Sequence, residues 1–163
     1  MKKHYWFPLV VLFLCSCQSH LQQLVEEAPL ISVQVPMGGG DTLILSKSPT
    51  NIVSLAPNFT EIIYLLGAED RLAARSVTTT FPEKVYELPE VNGYPFPEIE
   101  DLRSYKPEVV LVSPEVKAQY DFPDSLPIYS SLTDNLEQLY ASIRSLGVLT
   151  EHTEKATSLV DSL

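Results

Sequence analysis

Short apolar runs alternate with amphipathic stretches along most of the chain. Two of these runs, LISVQV and DTLILS, flank the glycine-rich segment PMGGGD, which predicts a β-hairpin or a longer β-loop. The next run, NIVSLA, is short and mostly apolar, as expected of a strand buried on both faces of a parallel sheet. Further strands are predicted in RLAARSV, EVVLVS and LPIYSSL.

Helical periodicity separates these strands. One apolar helical face is formed by Ile62, Ile63, Leu65 and Leu66, and Gly67 supplies the left-handed residue that ends such a helix. Asn58 is the predicted N-cap, and Glu61 stands three residues later, where a capping-box partner belongs. A second, shorter helix is predicted from Glu98 to Tyr105.

Two helices are predicted in the last part of the chain. Gly147 is expected to stop the first, and Thr150 is expected to cap the second, which fills the remaining residues. We expect the second helix to fray, because its apolar face lacks a predicted partner. Strands that alternate with helices predict an α/β fold, a mainly parallel sheet flanked by helices with an N-terminal β-hairpin. The apolar positions are Leu136, Leu139, Tyr140, Ile143 and Leu146 in the first helix, and Ala156, Leu159 and Val160 in the second.

The N-terminus predicts export. Two lysines precede an apolar run of about ten residues, which is too short to cross a bilayer but typical of a signal-peptide core. A short membrane anchor or a buried strand is the alternative. The order Leu-Cys-Ser-Cys at 14–17 resembles the bacterial lipobox, which implies cleavage before Cys17 and attachment of diacylglycerol to its sulfur. Residues 1–16 are therefore predicted to be a lipoprotein signal peptide, and 17–29 a lipidated tether.

Length and charge restrict the classes of function. The 163 residues have room for one domain, or for one domain with pieces of another. The formal net charge is -10, and removal of the two leader lysines would take it to about -12. An acidic chain offers no basic stripe for phosphate backbones, so we expect no nucleic-acid partner.

The residues that usually carry catalysis are scarce. Of the three histidines, only His152 falls in a predicted folded segment, and both cysteines lie in or beside the leader. Ser54 lacks the Gly-x-Ser-x-Gly elbow, and the segment MGGGDT lacks the Lys-Ser/Thr of a phosphate loop. We therefore expect no enzyme activity, no catalytic residue, no cofactor and no metal site.

The loops after the predicted parallel strands are the candidate binding surface, because open α/β sheets hold ligands at the carboxyl ends of their strands. These loops are Ala56–Phe59, Ser76–Val85, Val91–Glu100 and the segment SPEVKAQYDFP. They supply aromatic rings and hydroxyls without a charge cluster, which suits a large, flat, weakly polar ligand. For each aromatic residue, packing beneath its own loop is as plausible as contact with a ligand. The groups concerned are Phe59, Phe81, Tyr94, Phe96 and Tyr120, with Thr78, Thr79 and Thr80.

Four stretches carry a family resemblance: VSLAPNFTE, LGAEDR, PEVNGY and LRSYKPEVVL. Together they resemble the helical-backbone substrate-binding proteins of ABC importers for cobalamin, iron-siderophores and heme. The resemblance extends from about Pro49 to the C-terminus. It implies one Rossmann-like lobe of a two-lobe protein, with the ligand held between lobes that one long helix joins. Residues 30–149 then correspond to the N-terminal lobe and 150–163 to the start of the interlobe helix, with the second lobe absent.

The resemblance also implies roles for individual residues. The ligand-binding positions are Pro57, Asn58, Thr78, Thr79, Thr80, Phe81 and Tyr94. Glu100 matches a glutamate that docks on an arginine of the permease. Threonines replace the tyrosine and aspartate that cobalamin binders carry in the second loop, so cobalamin, heme and a ferric siderophore all stay open as ligands.

The function implied is capture of such a metal chelate by a lipid-anchored protein of the bacterial cell envelope, which delivers it to ABC permease subunits. The alternative is a truncated single-lobe lipoprotein that serves only as a surface interaction module.

Overall fold

A five-stranded parallel sheet forms the centre of the computed structural model, which describes residues 32–93 and 95–163. The described residues after 31 form one compact unit. The strands are β1 (Val33–Pro36), β2 (Thr42–Leu45), β3 (Ile52–Ser54), β4 (Leu72–Ser76), β5 (Glu90–Val91), β6 (Val109–Leu111) and β7 (Ile128–Tyr129). The helices are α1 (Pro57–Leu66), α2 (Ile99–Ser104), α3 (Pro114–Gln119), α4 (Leu136–Leu149) and α5 (Thr153–Ser162). Short 3-10 turns occupy Gly38–Gly40, Glu69–Arg71 and Glu83–Glu87.

The strand order in the sheet is β5-β4-β3-β6-β7, and all neighbours are parallel. The central strands are mostly apolar because both faces of the sheet are covered. On one face, Ile52 and Leu111 pack with α1, α4 and α5, whereas Val53 and Val110 pack on the other face with α2 and α3. The helices that follow β3 and β6 therefore lie on opposite faces. The predicted α/β class and parallel sheet are confirmed.

The predicted hairpin is also present. Strands β1 and β2 pair antiparallel, with Val35 opposite Leu43, and form a separate two-stranded sheet. Val35 is fully buried in the same core as α4, so the hairpin packs against α4. The three glycines form the 3-10 turn that joins the two strands.

Helix α1 begins two residues earlier than the capping pattern predicts. Ala56 is the N-cap and Pro57 the first helical residue, a position at which proline loses no hydrogen bond. The predicted cap at Asn58 is wrong, because its side chain turns away from the helix and its Nδ2 donates to Thr133 Oγ1 at 3.1 Å. The stop at Gly67 is confirmed: this residue is left-handed, with φ of 74°, and its N–H donates to the helix carbonyls.

The junction between α4 and α5 also differs from the prediction. Helix α4 continues through Gly147 to Leu149, and Thr150 ends it, with Oγ1 donating to the Leu146 carbonyl at 2.7 Å. Gly147 is needed for a close approach, since a Cβ there would lie 2.5 Å from the Cβ of Ala156. The N-cap of α5 is His152, so the cap predicted at Thr150 is wrong.

The expectation that the last helix would fray is wrong as well. A tight turn through Glu151, with φ of 61°, folds α5 back against α4 and α1. Ala156 is fully buried, and Val160 is 7% exposed. The apolar face of α5 therefore finds its partner within this lobe.

Candidate functional site

The carboxyl edge of the sheet brings together loops that are distant in sequence. The corner after β3 reaches the loop after β7 through the hydrogen bond from Asn58 to Thr133. The corner itself is held from inside, where Thr60 Oγ1 lies 2.8 Å from Ser54 Oγ and both residues are fully buried. Pro57 is half-buried and Asn58 is exposed. These two predicted ligand-binding residues thus stand on a fixed corner.

Phe59 belongs to the core. It is fully buried, and its ring meets the ring of Tyr129 edge-on, with centroids 5.3 Å apart. Burial raises the pKa of the Tyr129 phenol. Of the corner residues, the structure therefore leaves Asn58 and part of Pro57 to face a ligand.

The loop after β4 separates the predicted threonines. Thr78 and Thr80 are exposed, whereas Thr79 is fully buried and its Oγ1 has no hydrogen-bond partner within the part of the chain that the structure describes. Phe81 is 63% exposed, which is unusual for a phenylalanine. The surface that this loop presents therefore includes two hydroxyl-bearing side chains and one aromatic ring, beside the exposed side chains of Val77, Glu83 and Lys84.

Arg75 positions this loop, and the sequence analysis missed it. Its guanidinium is buried, and it donates to the carbonyls of Val85, Ser76 and Thr79 at 2.9–3.1 Å. It also forms an ion pair with Glu90 at 2.5 Å. A single buried side chain thereby ties both ends of the loop to β4, in the fork geometry that suits arginine. The only sequence signal is a charged residue inside an otherwise apolar strand.

The third and fourth loops meet through aromatic stacking. Phe96 and Tyr120 are parallel with centroids 5.8 Å apart, and Tyr120 also meets Phe122 edge-on at 4.6 Å. The Tyr120 hydroxyl donates to the Pro97 carbonyl, and its pKa is raised by burial and by nearby carboxylates. These rings pack on each other, with Tyr120 partly buried and Phe96 still 42% exposed. Tyr94, predicted to contact ligand, lies outside the described residues.

A groove of about 430 Å³ opens beside this edge, between the hairpin turn, the start of α3 and the end of β7. Its walls are Gly38, Gly39, Pro114, Lys117, Ala118, Ser130, Ser131 and Leu132. Lys117 lies in the segment SPEVKAQYDFP, which the sequence marked as a candidate loop although Pro114–Gln119 form α3. None of the groove residues was predicted individually to bind a ligand. Their separation along the chain gives no local signal that they meet.

Glu100 lies in the first turn of α2 and is strongly exposed. Its carboxylate is 3.6 Å from the guanidinium of Arg103 one turn later, and the side chain is 82% accessible. Its neighbour Asp101 instead caps the preceding loop by accepting from the Asn92 N–H at 2.9 Å. Glu100 is therefore available at the surface while Asp101 serves the fold.

Within residues 32–93 and 95–163, no group of three His, Cys, Asp or Glu side chains is placed to hold a metal ion. In the same described residues, no helix has the length and apolar character needed to cross a membrane. Cys17, the predicted lipid attachment site, lies outside them.

Comparison with known proteins identifies the family. The periplasmic binding protein family model matches residues 52–163. The vitamin B12-binding protein of Vibrio campbellii is 30% identical over 126 residues, which cover 74% of this chain and 45% of that protein. An uncharacterized ABC transporter substrate-binding lipoprotein of Bacillus subtilis, YvrC, is 26% identical over 145 residues, 85% of this chain and 46% of that protein. The chain thus spans less than half the length of these curated relatives.

Solved structures agree on the fold. The periplasmic vitamin B12 binding protein BtuF of Vibrio cholerae superposes with a TM-score of 0.59 at 25% identity, covering 71% of this chain and 47% of that one. A periplasmic heme-binding protein of Pseudomonas aeruginosa superposes with a TM-score of 0.60 at 20% identity, covering 70% and 43%, which supports the fold alone. The chain belongs to the periplasmic binding protein family, in the class with cobalamin, siderophore and heme binders that its sequence motifs indicate.

Proposed function

We propose that this chain contributes the N-terminal ligand-binding lobe of a substrate-binding protein for an ABC importer, and that its cargo is a corrinoid, a heme or a ferric siderophore. The observation that carries the proposal is the carboxyl edge of the parallel sheet. There, an exposed amide, exposed hydroxyls and an exposed aromatic ring stand on rigidly held loops beside an open groove. Such an edge is where open α/β sheets bind ligands.

The proposed contacts follow from exposure. Asn58 offers an amide, Thr78 and Thr80 offer hydroxyls, and Phe81 offers an aromatic face to a flat metal chelate. Pro57 shapes the corner. Thr79 is buried, so it contributes by supporting the loop from beneath its surface. Tyr94 completes the ligand-binding set on the family resemblance.

The partner and location are proposed together. Glu100, exposed on α2, docks on a basic residue of the permease, and electrostatic contacts of this kind guide association. Cys17 carries the lipid that holds the protein in the cell envelope, since the match to a lipoprotein of Bacillus subtilis and the sequence motif both favour an anchor. The protein binds and delivers its cargo without chemical change.

One lobe supplies one wall of the proposed cleft, and this limits its affinity. A nanomolar complex corresponds to about 12 kcal/mol of binding free energy, so loss of half the contacts leaves about 6 kcal/mol. This corresponds to a dissociation constant of tens of micromolar. We therefore expect the chain by itself to bind weakly.

The test is a titration of the chain from Gln18 onward with cyanocobalamin, hemin and a ferric siderophore, followed by calorimetry. One of the three is expected to bind with a dissociation constant of tens of micromolar. Phe81→Ser should weaken that binding about tenfold. The matched control is Leu65→Ser, which removes another exposed apolar side chain, on α1 outside these loops, and should leave affinity unchanged.

Two outcomes would contradict the proposal. Failure of all three chelates to bind at concentrations up to about 1 mM would contradict the proposed binding function. Equal weakening by the Phe81 and Leu65 variants would move the site away from the carboxyl edge. Sub-micromolar binding by the single lobe would instead overturn the estimate that one wall gives half the contacts.

A further inference from the structure

The groove beside the hairpin turn is a place where a ligand substituent meets both a charge and a buried hydroxyl. We propose that it is a subsite for a carboxylate arm of the metal chelate, held by Lys117 and Ser130. The inference rests on the proposed function, because the groove adjoins the same edge of the sheet. It goes further by stating which chelates are preferred: those that carry peripheral acids.

The dimensions favour part of a ligand. At about 430 Å³ the groove is near the lower end of the range for small-molecule sites. It is open on one side and bounded by Pro114, Ala118 and Leu132, whose apolar surfaces keep water from one face of an inserted group. A substituent of a macrocycle fits these limits, while the ring itself would lie across the exposed loops.

The glycine run explains why the groove exists. At Gly38 a Cβ would lie 3.1 Å from the backbone nitrogen of Leu132 and 3.3 Å from Ser131 Oγ, so a larger residue would push the hairpin turn away from the end of β7 by a few tenths of an ångström. Gly39 and Gly40 have φ of 83° and 89°, a backbone region that other residues rarely adopt. The run PMGGGD therefore builds one wall of the groove as well as joining two strands.

Ser130 supplies the first polar contact. The residue is 7% exposed and lines the groove, and its buried Oγ has no hydrogen-bond partner among the described residues. A buried hydroxyl without a partner is unfavourable, so a ligand atom that completes the bond gains more than it would at the surface. Rotation about χ1 brings this hydroxyl to the groove surface, where it can donate to a carboxylate oxygen.

Lys117 supplies the charge. It is the only cation among the residues that line the groove, and no carboxylate of the described residues lies within 4.0 Å of its ammonium group. It also borders a second depression that carries Asp121 and Asp124. Because the chain is acidic overall, an anionic ligand needs such a local positive charge to approach this edge.

The test compares two ligands that differ only in their acids. Zinc protoporphyrin IX has two carboxylate arms, and its dimethyl ester has none; both are titrated in the same detergent micelles by fluorescence. The free acid is expected to bind about tenfold more tightly. Lys117→Met and Ser130→Ala should each reduce this preference at least threefold. Lys155→Met removes an exposed lysine on α5 and should leave the preference unchanged.

A second measurement locates the contact. Amide resonances of Gly38, Gly39 and Leu132 should shift on addition of the free acid and much less with the ester. Equal affinity for acid and ester, or a preference that survives both Lys117→Met and Ser130→Ala, would overturn the subsite while leaving the proposed function intact. Binding of cyanocobalamin or the siderophore with neither porphyrin bound would do the same. If no chelate of any class binds, both proposals fail.

Discussion

Replacement of Glu108 by glutamine should destabilise the lobe in a way that depends on pH. The residue directly precedes β6, and its carboxylate holds the segment that leads into β3. Oε1 pairs with Lys47 at 2.5 Å, while Oε2 accepts from the N–H groups of Thr50 and Asn51 at 2.6 and 3.2 Å. Asn51 in turn donates from its side chain to the carbonyls of 105 and 106. Glu108 thus joins the entrances of two central strands.

The magnitude follows from the pKa. The hydrogen bonds from Lys47 and from the Thr50 N–H lower the pKa of Glu108 from 4.5 to about 2, against the opposing effect of burial. Each unit corresponds to about 1.4 kcal/mol, which sets an upper limit of about 3.5 kcal/mol. The Glu108 side chain is 31% exposed, and solvent screens its charge. We therefore expect Glu108→Gln to lower the free energy of unfolding by about 1–2 kcal/mol at pH 7.

The sign of the pH dependence is fixed. A carboxylate with a depressed folded-state pKa stabilises the protein above its unfolded pKa, and this contribution is lost as pH falls through the folded value. The difference between wild type and Glu108→Gln should hold above pH about 4.5 and disappear by pH about 2. Urea denaturation followed by circular dichroism at four pH values between 7 and 2 measures it.

Glu87→Gln is the matched control, since Glu87 is exposed and belongs to none of the ion pairs among the described residues. It should change the free energy of unfolding by a few tenths of a kcal/mol at most. Equal stability of wild type and Glu108→Gln at pH 7 would refute the reasoning. So would a difference that persisted unchanged at pH 2, because it could not come from the charge.

Gly147→Ala should lower the free energy of unfolding by about 1–3 kcal/mol, because the new methyl group would collide with Ala156. In thermal denaturation, adding Ala156→Gly to the same chain should recover part of this loss, and no recovery would contradict the contact. Glu100→Arg should leave the melting temperature nearly unchanged and weaken binding to the permease when both lobes are present; unchanged binding would leave Glu100 as an ordinary acid at a helix N-terminus. Intact-mass analysis of membrane-extracted protein should show loss of 1–16 and added acyl mass at Cys17, and a mature chain that begins at Met1 or lacks lipid would refute the anchor.

Much of the fold could be predicted because its elements rest on local signals. The apolar runs around Ile52 and Val109 report strands with both faces covered, and Gly67 ends α1 through its own backbone freedom. Prediction failed where contacts between distant segments determined the role of a residue. The Asn58 side chain hydrogen-bonds to Thr133 instead of capping α1, and Gly147 allows α5 to approach α4 instead of ending α4.

The candidate site was harder to predict for the same reason. The sequence could mark the loops after β3 and β4, because their position relative to the strands is set by the fold class. It could not show that Thr79 points inward, that Arg75 holds the loop, or that the glycine turn reaches Ser131. Each of these depends on packing between segments that are far apart along the chain.

The opposite placement of α1 and α3 has a consequence for how the site can diversify. From the central strand the chain first winds outward through β4 and β5, then returns to β6 and winds the other way, so the β3–β6 boundary is a topological switch point. The connections at Pro57 and Pro114 diverge to the two faces there, and open α/β sheets bind ligands in the crevice at such a switch point. For the proposed function, connectivity would thus set where the ligand lies, and substitution in the loops would remain free to change which ligand is bound. A lineage built on this winding can exchange one ligand for another without rebuilding its core.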